Sequence, residues 1–146
     1  MTALFEHSPW VEARADARPA SGDRHADLMA VVHAATPDEQ LALIRAHPEL
    51  AGKAAIDKTL TDASAAEQAS AGLDRLTPPE YDRFHALNTA YRARFDFPFI
   101  ICVRLTDKAG ILAAMEQRLG HDRDEEIATA LAQIGEIVRL RLGDMA

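Results

Sequence analysis

The chain has 146 residues, of which 48% are hydrophobic and 27% charged, a composition typical of one globular domain spanning residues 1–146. Its formal net charge of −7 argues against a nucleic-acid partner, because affinity for phosphates comes largely from lysine and arginine. No apolar run is long enough to cross a bilayer, so we expect no membrane partner. The single cysteine, Cys102, can form no disulfide within the chain, and the first residues do not resemble a secretory signal; both features favour a cytoplasmic location.

Helix starts in the first third of the chain are marked by capping residues. The Ser-Pro pair at 8–9 predicts an N-cap followed by a proline in the first helical position, and a second helix is expected over about 24–35. The Thr-Pro-Asp-Glu sequence at 36–39 is a capping box that opens a third helix. That helix must stop near His47, because a proline follows it, and residues 49–60 are predicted to form a loop.

Two more capping boxes follow, Ser-Ala-Ala-Glu at 64–67 and Thr-Pro-Pro-Glu at 77–80. The first predicts a helix to about Leu73. The second opens a helix with an apolar stripe that must be buried, formed by Tyr81, Phe84, Leu87 or Asn88, Tyr91 and Phe95. Further helices are expected over about 108–119, ended by Gly120, and over about 123–142. The sequence therefore predicts a compact all-α domain of about seven or eight helices.

One short segment, at about 96–104, does not follow the helical pattern. Phe97 and Phe99 flank Pro98, so this segment cannot continue the helix before it, and β-branched residues follow. The segment places extended backbone in apolar surroundings, where its N–H and C=O groups need partners. Such an interruption in a helical protein indicates a candidate binding site.

Several polar residues could carry chemistry, and each also has a purely structural interpretation. His47 can simply bind the carbonyls at its helix end, or it can move protons in a cleft near neutral pH. Ser64 and Glu67 can be no more than a capping box, although Gln68 is not needed for capping. Arg141 falls on the apolar stripe of the last helix, so it must be paired, reach solvent or bind an anion.

Other classes of site have little support in the sequence. The histidines lack the i, i+4 spacing of a helical metal site, and no glycine-rich phosphate loop or Gly-x-Ser-x-Gly motif occurs. We therefore expect no metal site. A non-enzymatic helical module that binds a ligand or a partner stays open as the alternative to an enzyme, whereas a DNA-binding regulator is disfavoured by the acidic charge.

Taken together, five blocks resemble the family of 2-oxo-4-hydroxy-4-carboxy-5-ureidoimidazoline (OHCU) decarboxylases, which complete the conversion of urate to (S)-allantoin. The blocks are Phe-Glu-His-Ser-Pro-Trp-Val at 5–11, His-Pro-Glu-Leu-Ala-Gly-Lys at 47–53, Ser-Ala-Ala-Glu-Gln-Ala at 64–69, Leu-Asn-Thr-Ala-Tyr at 87–91 with Phe-Pro-Phe-Ile-Ile-Cys-Val at 97–103, and Leu-Arg-Leu at 140–142. They occur in the family's order and cover almost the whole chain, so the combination is far more specific than any one block.

The resemblance implies an all-helical, cofactor-independent carboxy-lyase with OHCU as its small-molecule substrate, in an assembly for which a homodimer is left open. Its catalytic histidine maps to His47 and its acidic residue to Glu67. The substrate-binding residues that it implies are Pro48, Ser64, Gln68, Phe99, Ile100, Ile101 and Arg141.

The chain departs from the family pattern at two places. The family usually has glycine where this chain has Asp96, so we expect a different turn before Phe97. The family also usually has a further helix before the block at 5–11, and the four residues that precede this block are too few to form it. We therefore expect that helix to be missing.

Overall fold

The computed structural model describes residues 4–5, 8–47, 49–50, 62–73 and 75–145, except for the side chains of 62–64. Seven α-helices and one 3-10 turn form within these ranges, and the helices are α1 (Trp10–Asp16), α2 (Arg24–Ala34), α3 (Pro37–Arg45), α4 (Asp62–Ser70), α5 (Pro78–Phe95), α6 (Lys108–Arg118) and α7 (Arg123–Met145). The all-α prediction is confirmed. None of the helices in the described ranges is long and apolar enough to cross a membrane.

Two of the three predicted capping boxes form as the sequence indicates. At the start of α3, the Thr36 hydroxyl accepts a hydrogen bond from the Glu39 N–H (3.1 Å), and the Glu39 carboxylate accepts one from the Thr36 N–H (3.0 Å). Thr77 and Glu80 repeat this exchange at the start of α5. Both helix starts are fixed by contacts within four residues, which is why the sequence alone locates them.

The predicted starts at about 24, 108 and 123 agree with the structure, whereas those at Ser8 and at Ser64 are wrong in position. Pro9 occupies the N-cap of α1 and no side chain caps that helix, so Ser8 lies one residue too early. Helix α4 begins at Asp62, before the predicted box, so Ser64 lies inside the helix and Glu67 lies beyond its first turn. Glu67 does not cap the helix, because its carboxylate is engaged by another helix. Helix α4 also ends at Ser70 rather than near Leu73.

Helix α7 packs against α2 and α3, and α5 packs against α6. Leu131, Ile134 and Val138 are buried on α7, as the apolar stripe predicts. The centre of the stripe on α5 is Tyr91, whose ring lies 4.6 Å from Phe95, 5.9 Å from Phe97 and 5.3 Å from Phe99 between centroids. These aromatic contacts fasten the extended segment to α5.

The predicted stripe on α5 is wrong at its first member. Tyr81 is 36% exposed, and its ring stacks on His85 of the next helical turn. Phe84, Leu87, Asn88, Tyr91 and Phe95 are all buried. Tyr81 lies in the first turn of α5, where the helix extends beyond the core, so periodicity alone overestimated the buried length.

The chain leaves α5 through a left-handed residue. Asp96 has φ 63° and ψ 32°, a conformation that glycine adopts without strain. Arg45 of α3 holds this turn from outside: its Nε donates to the Asp96 carbonyl (3.1 Å) and its Nη2 contacts the Asp96 carboxylate (2.8 Å). The extended backbone that follows ends at Cys102, earlier than predicted, because Val103–Leu105 forms the 3-10 turn.

Candidate active site

A pocket opens where four parts of the chain meet. These parts are the chain after α3, the second half of α4, the extended segment with its 3-10 turn, and the second half of α7. The lining residues are His47, Leu50, Glu67, Gln68, Phe99, Ile100, Ile101, Cys102, Val103, Arg104, Ile137 and Arg141. Most of the lining residues are apolar, and the charged and polar side chains come from the chain after α3, from α4, from α7 and from the 3-10 turn.

A two-bond ion pair joins α4 to α7 across the pocket wall. Arg141 Nε donates to Glu67 Oε2 (2.8 Å), and Arg141 Nη2 donates to Glu67 Oε1 (2.7 Å). A third donor, Arg141 Nη1, binds the carbonyl of Leu4 (3.2 Å). The Arg141 side chain is 2% exposed and that of Glu67 13%, so water screens the pair weakly. The planar guanidinium thus fixes the direction of the Glu67 carboxylate.

His47 follows the C-terminal end of α3 and is buried. Its Nδ1 lies 3.0 Å from the Leu43 carbonyl, four residues earlier. A carbonyl can only accept, so Nδ1 carries the proton and, in the neutral ring, Nε2 is the basic nitrogen. The Nε2 atom is itself buried. The end of α3 therefore fixes both the tautomer and the ring orientation of a residue that lines the pocket.

The extended segment forms one wall, and charged groups behind it hold its backbone. Arg118 Nη1, from the end of α6, donates to the Ile100 carbonyl (2.6 Å), while the Arg118 guanidinium lies 4.3 Å from the centroid of Phe99. On the other side, the Cys102 N–H donates to the Gln133 side chain of α7 (2.9 Å). The predicted need for backbone partners is met in this way at two points of the segment.

Behind the wall, Glu126 is fully buried in α7 and accepts three hydrogen bonds. Its donors are the Tyr91 hydroxyl (2.5 Å), Arg118 Nε (2.7 Å) and, at the surface side, His121 Nδ1 (2.9 Å). Burial, and then the bond to Glu126, raises the pKa of Tyr91, so its hydroxyl remains a donor. This cluster is not part of the pocket lining, but it holds Arg118 in place against Ile100.

Seven of the nine predicted site residues line this one pocket: His47, Glu67, Gln68, Phe99, Ile100, Ile101 and Arg141. Gln68 is buried, and so is Arg141, as the stripe on α7 predicts. Pro48 lies outside the described residues. Ser64 has its backbone in α4, and its side chain also lies outside the described part of the chain. The roles of these residues stay predictions.

Five lining residues are not among the nine predicted site residues: Leu50, Cys102, Val103, Arg104 and Ile137. Cys102, Val103 and Arg104 lie within the segment at 96–104 that the sequence indicates as a candidate binding site, although nothing in the sequence singles them out. Ile137 precedes Arg141 by four residues, which places both on one face of α7 and could have indicated it. Burial raises the pKa of the Cys102 thiol, so it is a poor nucleophile. Among the described residues, no three His, Cys, Asp or Glu side chains cluster as metal ligands would.

Comparisons with known proteins agree with the resemblance noted in the sequence. A family model described as OHCU decarboxylase matches residues 1–143. The chain is 42% identical over 144 residues to the 2-oxo-4-hydroxy-4-carboxy-5-ureidoimidazoline decarboxylase of Haloferax volcanii, covering 97% of this chain and 83% of that protein. It is 36% identical over 145 residues to the mouse (Mus musculus) protein of the same name, covering 97% and 82%.

Solved structures show the same fold. A crystal structure of (S)-allantoin synthase superimposes with a TM-score of 0.70 at 31% identity, over 97% of this chain and 46% of that one. A crystal structure of OHCU decarboxylase determined in the presence of (S)-allantoin superimposes with a TM-score of 0.74 at 17% identity, over 97% and 94% of the two chains. The chain belongs to the OHCU decarboxylase family.

Proposed function

We propose that this protein catalyses the cofactor-independent decarboxylation of OHCU to (S)-allantoin in urate degradation. One observation carries the proposal: seven residues that the sequence predicts as site residues come from four distant parts of the chain and line a single pocket. Relatives of this chain carry the name of that decarboxylase, which also favours an enzyme over a non-enzymatic binding module.

The reaction needs orientation and charge stabilisation more than it needs a cofactor. The bond between the ring carbon and the carboxylate breaks, CO2 leaves, and the electron pair moves into the adjacent C=N of the ring. One proton is then added to one face of the ring, which gives the single enantiomer. A protein can accelerate this by holding the carboxylate in the reactive orientation and by stabilising the negative charge that develops in the ring.

His47 is proposed to hydrogen-bond the hydroxyl or the carboxylate of the substrate and to handle the proton. The contact of its Nδ1 with Leu43 supports this role, because it leaves the basic nitrogen of the neutral ring on Nε2. Glu67 is proposed to set the charge and orientation around the histidine. Arg141 would bind a carbonyl or anionic oxygen of the substrate from its position beside Glu67.

The rest of the pocket is proposed to bind the ring amides and the ureido arm. Gln68 supplies an amide with both donors and an acceptor, and the backbone of Phe99, Ile100 and Ile101 supplies main-chain groups in an extended conformation. Ser64 and Pro48 are proposed as further contacts, on the family resemblance alone.

The test is the circular dichroism of allantoin formed when urate oxidase and hydroxyisourate hydrolase produce OHCU in the cuvette. We expect the (S)-allantoin signal to appear rapidly only when this protein is present. Slow, racemic allantoin in both samples would refute the proposal. Ligand binding without any turnover would instead support the binding-module alternative.

A histidine variant tests the assignment within the pocket. His47→Asn should fold and lose most of its turnover, because asparagine cannot transfer a proton near neutral pH. His33→Asn is the matched control, since His33 is exposed in the last turn of α2. Wild-type activity in the His47 variant would contradict the assignment.

We further propose that residues 1–146 form one domain and that the protein is cytoplasmic. We also propose that it has neither a nucleic-acid nor a membrane partner. The buried thiol of Cys102 is compatible with a reducing compartment. Whether a homodimer forms can be decided by light scattering coupled to size-exclusion chromatography.

A further inference from the structure

Arg104, the last residue of the predicted segment at 96–104, contributes a positive charge to the pocket and was not among the predicted site residues. It lies in the 3-10 turn directly after the extended segment and lines the pocket. Its Nη1 and Nη2 bind the two carboxylate oxygens of Asp144, near the end of α7, at 2.7 and 3.2 Å. Asp144 is not among the lining residues, and the side chains of the pair are 32% and 60% exposed. The neutralising carboxylate is thus exposed and lies outside the described pocket lining.

The charges of the described pocket lining do not cancel without Asp144. Glu67 and Arg141 neutralise each other through their two-bond pair. Arg104 is the remaining permanently charged side chain of the described lining, so the described lining residues carry one positive charge more than negative charges. An ion pair as exposed as Arg104–Asp144 is worth little, so Arg104 can exchange Asp144 for another anion at small cost.

We propose that Arg104 captures the carboxylate of the substrate at the pocket mouth and thereby selects the anionic substrate over the neutral product. This inference rests on the proposed function, because OHCU carries the carboxylate and (S)-allantoin has lost it. An opposite charge at a cleft raises the local concentration of an anion and its rate of association.

The same chemistry predicts that Arg104 promotes binding of the substrate and not cleavage of the bond between the ring carbon and the carboxylate. CO2 leaves as a neutral molecule, so a cation that held the carboxylate tightly would stabilise the substrate more than the transition state. Arg104 is partly exposed and its partner is exchangeable, so it binds the carboxylate only weakly. It can therefore release the carboxylate as the negative charge of that group disappears. Removal of Arg104 should therefore raise KM and leave kcat nearly unchanged.

The test compares Arg104→Gln with Asp144→Asn, two variants that break the same ion pair. If Arg104 captures the carboxylate, Arg104→Gln should raise KM for OHCU on the order of tenfold, the size of one charge contact. Asp144→Asn should leave KM unchanged or lower it, because it frees the arginine. Added salt should raise KM of the wild type but not of Arg104→Gln. An unchanged KM in Arg104→Gln, or an equal rise in both variants, would overturn the inference.

A binding measurement separates this inference from the proposed function. Hydantoin-5-acetate and hydantoin are ring compounds with and without a carboxylate, and NMR titration of each requires no turnover. We expect the wild type to bind the anion more tightly and Arg104→Gln to lose the difference. If the wild type turns over OHCU but binds the two compounds equally, the proposed function stands and the inference about Arg104 is refuted. If the wild type binds the anion more tightly but does not turn over OHCU, anion capture stands and the proposed decarboxylase activity is refuted.

Discussion

The substitution Glu126→Gln tests whether the buried cluster behind the pocket holds the fold together. Gln keeps the shape of the side chain, removes its charge and replaces the carboxylate oxygen that faces His121 Nδ1 with an amide NH2. Arg118, with a side chain 7% exposed, would then be a buried cation that has lost its carboxylate. Gln can still accept hydrogen bonds from Tyr91 and Arg118 through one oxygen, so the expected loss is chiefly electrostatic.

The structure sets the size of the effect. Removing one partner of a buried ion pair costs about 3–5 kcal/mol, because the other charge stays buried without compensation. Arg118 has little with which to replace Glu126: its Nη1 is already bound to Ile100, and within the described residues its Nη2 is buried without a hydrogen-bond partner. A domain of this size is stable by about 5–15 kcal/mol, so the variant should fold with greatly reduced stability.

Urea denaturation followed by far-ultraviolet circular dichroism measures this loss as a lower midpoint at unchanged slope. Glu136→Gln is the matched control, because Glu136 pairs with Arg139 on the same helix with both side chains at least 40% exposed. That control should change stability by less than about 0.5 kcal/mol. A Glu126 variant within about 1 kcal/mol of wild type, or equal to the control, would refute the reasoning.

Two further predictions concern the turn after α5 and the start of α3. Asp96→Ala should be less stable than Asp96→Gly by about 1 kcal/mol in urea denaturation. Both variants lose the contact between the Asp96 carboxylate and Arg45 Nη2, but only alanine is strained at the left-handed φ of 63°. Equal stability of the two variants would contradict this. The contacts of Glu39 with Arg14, and then with the Thr36 N–H, lower its pKa from 4.5 to about 2. As the pH falls, the unfolded state takes up the proton on Glu39 before the folded state does. The contribution of the Glu39 carboxylate to the free energy of unfolding is therefore complete above pH 4.5 and is lost as the pH falls towards 2. Glu39→Gln should accordingly lose less stability than wild type between pH 5.5 and 3. Equal losses in the two proteins would exclude that contribution.

Local signals explain the parts of the fold that the sequence predicted correctly. The boxes at Thr36 and Thr77 are closed by groups three residues apart, so no distant contact is needed to locate α3 and α5. Pro98 limits the backbone around itself in the same way, which is why the extended segment was predicted. The box at 64–67 has the same local pattern and failed, because Glu67 forms its ion pair with Arg141, 74 residues away.

The candidate site, too, was predictable only in part. The order of the blocks along the chain, and a charged residue, Arg141, on an apolar stripe, indicated most of the residues that line the pocket. Glu126 gave no such signal: an acidic residue in the first turn of a helix is ordinary, and an arginine in the last turn, as Arg118 is, is equally ordinary. Their burial depends on Tyr91 and Ile100, which come from other parts of the chain.

The sequence by itself determined the all-helical architecture, five of the seven predicted helix starts, the interruption at Pro98 and the family, because these depend on local conformation and on the order of motifs along the chain. Only the tertiary structure decided which charges neutralise one another. Glu67 pairs with Arg141, Glu126 with Arg118, and Arg104 with an exposed partner across the pocket mouth. Electrostatic interactions depend on distance in space and on burial, and neither quantity is encoded in the spacing of residues along the chain.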